Sequence, residues 1–546
     1  MSGILGQVET QRAVDPDAFA RMLGALATRG PGGEGTRVLH GSRVVLGHRR
    51  LAIPDRAGSA AQPISNACGT LWLTFDGEIY NFHELGKQLA AEGHAVCSGS
   101  DAEVVLHAYA EWGDDCLLRL RGTFAFGLWD TRRERLLIAR DRLGVKPLYY
   151  LAEGGGLTFA SQPRAILEHP RARREVDPIA FRHCLAYGQP RDDRTVWAGI
   201  AKLPPGHRLV LDRRGLRSER YWEIRYAPSV FKPADAARLV RAKLEEAVRL
   251  QLASEVPIGV HLSGGIAPPT IAAIAMCALE RKLPSFEIGI GEGDGAARRG
   301  TPLVSRHFTA PAHEARMSAE AAACLLPELI AISDEPCFGD AGLHTLAASR
   351  LARSQGVGVM LGSGGADEVF AGHAGYEGAS PKPKWPWRRL RGAAALPRVT
   401  RLQLADLSTS LAGDLLPQID RASLAGGVEI RLPFLDHELV EAAFTIDSRV
   451  LFAEGERLAL LKRAAASWLP PEVLADSHSA GDTALDARWQ STASSLLPDG
   501  VLVSRGLLER DTILALLASE RPAETRFLAR AELWARHWLE PASGAA

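Results

Sequence analysis

The 546-residue sequence lacks several features by which protein classes are recognised, and each absence narrows its reading. Neither sign of charge is in excess. Lys+Arg and Asp+Glu both count 64, so no net field draws the chain to nucleic acid or to an acidic membrane surface. No apolar run reaches the roughly 18 residues needed to span a bilayer. The opening MSGILGQVET has neither a basic start nor a long apolar stretch, so export is not expected and a cytoplasmic location is. Paired cysteines are missing too. Cys68, Cys97, Cys116, Cys184, Cys277, Cys324 and Cys337 are odd in number and form no C-x-x-C pair at zinc spacing. Free thiols in a reducing compartment are expected, with no metal site. What is present, 46% hydrophobic and 23% charged residues, is the composition of a globular protein acting on small molecules or protein partners. The length predicts two or more domains.

Residues 1–210 read as short strands with two helices between them. LWLTF (71–75), FAFGLWD (124–130), RLLIARD (135–141) and LYYLAE (148–153) are strand-like, and EVVLHAYAEWG (103–113) has helical spacing, with Val105, Leu106 and Tyr109 on one side. A second region, 230–546, opens on a helix in which Val240, Leu244 and Val248 recur every four residues, with Arg241 and Glu245 paired on the other face. PIGVHL (257–262), then SGG, then the apolar TIAAIAMCALE form a strand–glycine loop–helix unit with a possible phosphate cradle. GVGVMLGSGGADE (356–368) repeats that order, and helix dominates beyond about residue 400. SPKPKWPWRRLRGAAALPR (380–398) carries six basic residues, no acidic one and prolines at 381, 383 and 386, which predicts a solvated loop or a docking surface.

The runs MSGILG, RGPGGEG, LGHRRLAIPD, DGEIYNF, SDAEVVL, RDRLGVKPLYY and KLPPGH follow one another across the first half. In that order they resemble the glutaminase half of the asparagine synthetase family, a class II glutamine amidotransferase. The resemblance implies an αββα sandwich of the N-terminal-nucleophile hydrolase type. Its nucleophile is a cysteine exposed when the initiator Met leaves, with the free amine as base; here that residue is Ser2. Ser can serve with the same amine, but its hydroxyl is less acidic than a thiol and needs an intact site. The oxyanion-hole asparagine of the family is Asp76 here, a carboxylate that only accepts when ionised. Losing one such donor costs roughly 100- to 1000-fold in rate. Arg50, Gly77, Glu78 and Asp101 match the positions that hold glutamine. These positions imply a glutamine-like ligand, or else presence for folding, since a buried Arg or Glu left unpaired is destabilising.

VPIGVHLSGG, SDEPCF, DRASLAGGVEIRLPFLDHELVEAA and WLPPEVL likewise resemble the family's second half, an α/β ATP-pyrophosphatase domain with a parallel sheet and added helices. By resemblance, Leu262, Ser263, Gly264, Gly265, Ser363 and Gly364 would hold ATP, and Glu368 and Tyr376 would stand at the acceptor site. The loop departs from the family's SGGxDSS: a magnesium-binding Asp is Ala267, and Pro268 and Pro269 replace residues whose amides hold pyrophosphate. A second metal-binding carboxylate is Gly364, and the lysine of a later loop is Ser479, with His478 or Lys462 as substitutes. No metal ligand is therefore assigned, and ATP and Mg²⁺ are cofactors only where the altered loop still binds them.

Three functions follow from this pattern. The leading one is a repurposed or non-catalytic family member in a specialised biosynthetic pathway, with a protein partner or self-association. The second is an ATP-dependent amide-forming ligase of the β-lactam or lasso-peptide cyclase kind, with a silent glutaminase half. The third is ordinary glutamine-dependent asparagine synthesis.

Overall fold

The computed structural model describes residues 2–51, 61–191, 193–262, 264–290, 305–336, 339–376, 395–475, 493–519 and 521–540. Among the described residues up to 220, strands run as β1 (Ser2–Val8), β2 (Glu34–Leu39), β3 (Val44–Arg50), β4 (Ile64–Ser65), β5 (Leu71–Ile79), β6 (Gly122–Asp130), β7 (Arg135–Arg140), β8 (Tyr149–Glu153), β9 (Gly156–Ala160), β10 (Ile200–Lys202), β11 (His207–Asp212) and β12 (Gly215–Arg220). They form two six-stranded antiparallel sheets, ordered β10-β8-β9-β1-β3-β2 and β12-β11-β7-β6-β5-β4.

Successive side chains of a strand point to opposite faces, so each sheet can bury both. Ile4, Val8 and Leu46 of the first sheet meet Ala125, Leu136 and Ile138 of the second. Phe159 fills the space that Gly6 and Gly127 leave between them; a Cβ at either glycine would lie 2.2 or 2.1 Å from its ring. Outside the second sheet, Phe75 and Phe126 pack on Leu85 and Leu89 of the helix Phe82–Ala91 and on Val105, Leu106 and Tyr109 of the helix Asp101–Trp112. Outside the first, Leu5 and Tyr149 pack on Phe19 and Met22 of the helix Pro16–Gly24 and on Phe181 of the helix Pro178–Tyr187. The layers are the αββα sandwich expected. Helices at Pro16 and Pro178 were not read from sequence; each is capped by an Asp side chain before a proline in its first turn.

The second half is built on five parallel strands, β13 (Ile258–His261), β14 (Ser285–Ile290), β15 (Ala312–Met317), β16 (Val359–Leu361) and β17 (Glu429–Arg431), ordered β15-β14-β13-β16-β17. The order reverses between β13 and β16, and ligands in open α/β sheets bind at the carboxyl ends of the strands at such a point. The helix Pro233–Gln251 buries Val240, Leu244 and Val248 against this sheet's core. Arg241 and Glu245 both turn to Trp468, with the Trp468 indole donating to Glu245 Oε1 at 3.2 Å. That apolar plate offers them more than an exposed pairing does.

An ion pair and an aromatic cluster are among the contacts that fasten the halves. Arg121 of the first chelates Asp436 of the second through Nε and Nη2, at 2.8 and 2.9 Å. Trp534, from the C-terminal helix Pro522–Leu539, lies with its ring 5.4 Å from Trp197 and 6.2 Å from Phe181. No helix among the described residues is long and apolar enough to cross a membrane. Because Trp534 is 1% exposed and inserts into the first half, Trp534→Ala is expected to cost about 3–5 kcal/mol. Urea unfolding followed by circular dichroism checks this.

Candidate functional site

The first candidate centre lies where β1 and β5 meet across the sandwich. Ser2 pairs in register with Arg50 of β3. Its backbone nitrogen donates to Asp76 Oδ1 at 2.8 Å, and its carbonyl accepts from Arg29 Nε at 3.0 Å. Arg29 then donates to Asp76 Oδ2 at 2.9 Å and to Asp420 Oδ2, from the second half, at 2.5 Å. Lys146 Nζ lies 3.5 Å from the other oxygen of Asp420. Burial opposes charge on Arg29, but Asp420 and Asp76 outweigh it and hold its pKa above the usual value. Burial opposes charge on Asp420 too, and Arg29 and Lys146 outweigh it, keeping that carboxyl below its usual range.

Gly77 adopts φ +151°, and a Cβ there would sit 2.1 Å from the Thr123 carbonyl oxygen, so the β5–β6 approach requires glycine. Asp76 and Glu78, two apart on the strand, face the same side. Glu78 reaches the second half, where its carboxylate lies 3.6 Å from Arg431 of β17. Asp101 starts its helix and accepts from the Ile79 amide at 3.1 Å. Arg50 is exposed, with a long 3.5 Å contact to the Gly32 carbonyl. The structure thus brings Ser2 to Asp76, next to Gly77 and in register with Arg50, sets Asp101 on the Ile79 amide, and turns Glu78 toward β17. It adds His48, two residues before Arg50 and facing the same side. Burial and the nearby Arg50 push His48 down to about 3, so it is neutral, and its Nε2 has no hydrogen-bond partner.

The second candidate centre lies at the carboxyl ends of β13 and β16, which are neighbours. Leu262 leaves β13, and Gly264 and Gly265 turn the chain with φ of +86° and +72°. Ser263 lies outside the described residues. The helix Ala267–Leu279 starts there with Pro268 and Pro269 in its first turn, and Thr270 gives its amide to the Ile266 carbonyl at 3.1 Å. Across the gap are Ser363 and Gly364. A Cβ at Gly364 would lie 3.3 Å from a Leu432 methyl and 3.4 Å from one of Ile419, an apolar wall in place of a carboxylate. Among the described residues no group of three or more His, Cys, Asp or Glu is placed to hold a metal.

Polar chemistry in this half gathers further along. Glu368, buried, bonds His373 Nε2 at 3.0 Å, and Tyr376 donates its hydroxyl to Asp406 at 2.7 Å. The His373 and Tyr376 rings stack with centroids 5.8 Å apart. Desolvation disfavours charge on His373, but Glu368, Asp367 and Asp406 outweigh it and raise the imidazole to about 9. Burial raises the Asp406 carboxyl, as it does the Tyr376 phenol. The cluster is therefore a cation among carboxylates beside a protonated phenol, able to receive an amine and shuttle a proton. Lys462 is paired with Glu456 at 2.6 Å. His478, Ser479 and the part of the basic segment up to residue 394 lie outside the described residues.

Similarity to known proteins covers both halves of the chain. Residues 1–222 match the family described as glutamine amidotransferase domain, and residues 239–540 match asparagine synthase. The chain is 30% identical to asparagine synthetase [glutamine-hydrolyzing] 3 of Bacillus subtilis, over 95% of this chain and 94% of that one. It is 30% identical to a putative asparagine synthetase [glutamine-hydrolyzing] of Mycobacterium bovis, over 84% and 82%. It is also 30% identical to amidase chry2 of Gibberella zeae, over 67% of this chain and 57% of that. The protein is an asparagine-synthetase-like class II glutamine amidotransferase: it belongs to the asparagine synthase family.

Arg29, His48, His373, Asp406 and Asp420 were not singled out from sequence. Arg29, His48 and Asp420 do lie within RGPGGEG, LGHRRLAIPD and DRASL, but the contact of Arg29 with Asp420 spans 391 positions and no local pattern encodes it. Removing that guanidinium strands two buried carboxylates, so Arg29→Ala is expected to cost about 3–5 kcal/mol, measured by chemical denaturation. The His373 pair has a definite pH signature. An imidazole that titrates near 6.5 when unfolded and about 9 when folded adds stability that is complete below about pH 6.5 and lost as pH rises through about 9. His373→Gln is expected to lower the melting temperature at pH 6 and to leave it equal to that of the unmodified protein at pH 10.

Proposed function

We propose that this protein is a repurposed member of the family that does not run the ordinary glutamine-to-asparagine reaction. It acts instead as a binding or scaffolding partner, or on a specialised biosynthetic intermediate, with one unit over 1–210 and another over 230–546. The observation that carries this reading is the 2.8 Å contact between the Ser2 nitrogen and Asp76. An N-terminal nucleophile needs its own amine neutral, to take the hydroxyl proton. With Met1 removed, a carboxylate on that nitrogen favours the ammonium form and withdraws the base. The same Asp76 offers an acceptor where an oxyanion needs a donor.

The nucleotide side supports the same reading. Ala267 and Gly364 supply no oxygen to magnesium, and Pro268 and Pro269 supply no amide to pyrophosphate. Leu262, Gly264, Gly265 and Ser363 would still hold ATP if it enters, and Arg50, Gly77 and Asp101 would hold a glutamine-like molecule. The test is direct: purified protein with Mg-ATP, aspartate and either glutamine or ammonia, with asparagine quantified. Turnover within the common enzymatic range of about 1–1000 s⁻¹ sinks the proposal; the expected rate lies far below it.

The cluster of Glu368, His373, Tyr376 and Asp406 favours a second reading, an amide-forming ligase whose amine is part of a larger substrate and whose glutaminase half is silent. Pyrophosphate release on presenting candidate carboxylic acids with ATP separates it from the first. Asparagine synthesis itself, the activity in the names of the Bacillus and Mycobacterium relatives, requires Ser2, Asp76 and Ala267 all to be tolerated.

A further inference from the structure

His94 and His107 stand outside both centres, among the helices that cover the second sheet. His94 closes the turn after the helix Phe82–Ala91, giving its amide to the Leu89 carbonyl at 2.9 Å. His107 lies midway along the helix Asp101–Trp112. Their Nδ1 atoms are 3.2 Å apart and the rings stand 72° from coplanar, so one ring nitrogen donates to the other. Behind the pair, His94 Nε2 lies 2.9 Å from Glu111 Oε2. Glu103 is 3.9 Å from His107 Nε2, too far to bond it.

A ring-to-ring bond lasts only while at least one of the two facing nitrogens is a bare lone pair. With no added proton, or with one, a donor still meets an acceptor. A second proton makes both facing atoms donors on neighbouring cations, and the contact must open. The side chains are 19% and 15% exposed, so solvent can supply that proton. Burial, and then the adjacent His94, hold the His107 imidazole below its ordinary value against the opposing pull of Glu103. The ionisable groups acting on His107 are thus His94, from the turn, and Glu103, from its own helix, while Glu111 faces the far side of His94. A folded-state value below the unfolded one gives stability that is complete above about pH 6.5 and is lost as pH falls below it.

We propose that the His94–His107 pair is a proton-operated latch, which fastens the turn after the helix Phe82–Ala91 to the helix Asp101–Trp112 at neutral pH and opens in acid. The next fastening along the segment does not share this sensitivity. Glu103 accepts from the Cys97 amide at 2.9 Å and the Ser98 amide at 2.7 Å. Burial opposes charge on Glu103, but those amides and the Ser98 hydroxyl outweigh it and hold the carboxyl below its ordinary range, so it stays ionised where histidine titrates. Acid therefore frees the His94 end of the segment and leaves residues 97 and 98 held. Tyr80 and Asn81 alone separate β5, which carries Asp76, from the helix Phe82–Ala91. Opening the latch thus loosens the far end of a helix that flanks the first centre, whatever that centre binds.

Two measurements on the full-length protein test this. In nitrogen-detected NMR of histidine-labelled protein, His107 is expected to gain about threefold or more in proton affinity in His94→Gln, which removes the facing cation. In hydrogen exchange read by mass spectrometry and corrected for intrinsic rates, peptides covering 92–98 are expected to lose protection about tenfold or more between about pH 7.5 and about pH 5.5. In His107→Gln the loss is expected to vanish, because an amide can donate to or accept from His94 at either pH. Unchanged His107 proton affinity in His94→Gln overturns the latch. So does equal protection of the unmodified protein at the two pH values, a comparison that needs no variant to fold, or an equal loss in His107→Gln.

Discussion

Arg29 is a guanidinium sealed between two carboxylates, one from each half of the chain, and the first centre is organised around it. Its three contacts fix the Ser2 carbonyl, orient Asp76 and reach Asp420 across the interface. A buried ion of this kind persists only when every charge has a partner, because desolvation costs several kcal/mol per ion. Arg29 and Lys146 supply two positive charges, Asp76 and Asp420 two negative ones, so these four groups balance. With an amide at position 76 the same four would carry one surplus positive charge beside the Ser2 carbonyl, where a developing oxyanion gains most from it. Asp76, as a carboxylate, cancels that surplus. One oxygen atom in place of one NH₂ therefore changes both the donor and the local field.

Motifs and periodicity made the layers legible. The αββα sandwich and the parallel sheet follow from strand and helix patterns together with the order of the motif runs, and the strands read at 124–130, 135–141 and 148–153 all form. The first strand of DGEIYNF runs four residues past the expected end at Phe75, because Asp76–Ile79 pair with β6 despite a glycine whose φ is unusual. Individual site residues were nameable from their runs, yet their partners were not. Glu78 meeting Arg431, or Tyr376 meeting Asp406 thirty residues on, depends on how elements pack, and sequence spacing carries no record of that.

The second centre has lost polarity where two loops converge. Ala267 and Gly364 follow strands that are hydrogen-bonded neighbours, so the missing carboxylates would have faced one gap and neither loop can stand in for the other. Leu432 and Ile419 line that gap, and a carboxylate introduced at 364 would be pressed against methyl groups. Charge is concentrated instead at Glu368, His373 and Asp406, where the carboxylates outweigh desolvation and raise the His373 imidazole. Among the described residues of this domain, the acceptor side thus carries a histidine raised by neighbouring carboxylates, a group suited to moving a proton.

Glu78 and Arg50 illustrate why presence of a motif residue is weak evidence for binding unless its present occupation is known. Arg431 is 1% exposed and holds Glu429 at 2.7 Å while Glu78 approaches from the other domain. Removing Glu78 would disturb a buried charge cluster, so folding alone accounts for it. Arg50 has no such reason. It is exposed, and its side chain makes a 3.5 Å contact to the Gly32 carbonyl, too long to hold a guanidinium in place. An exposed arginine so loosely held can turn to a carboxylate brought from outside. Arg50, and not the more recognisable Glu78, is therefore the residue whose place folding does not account for.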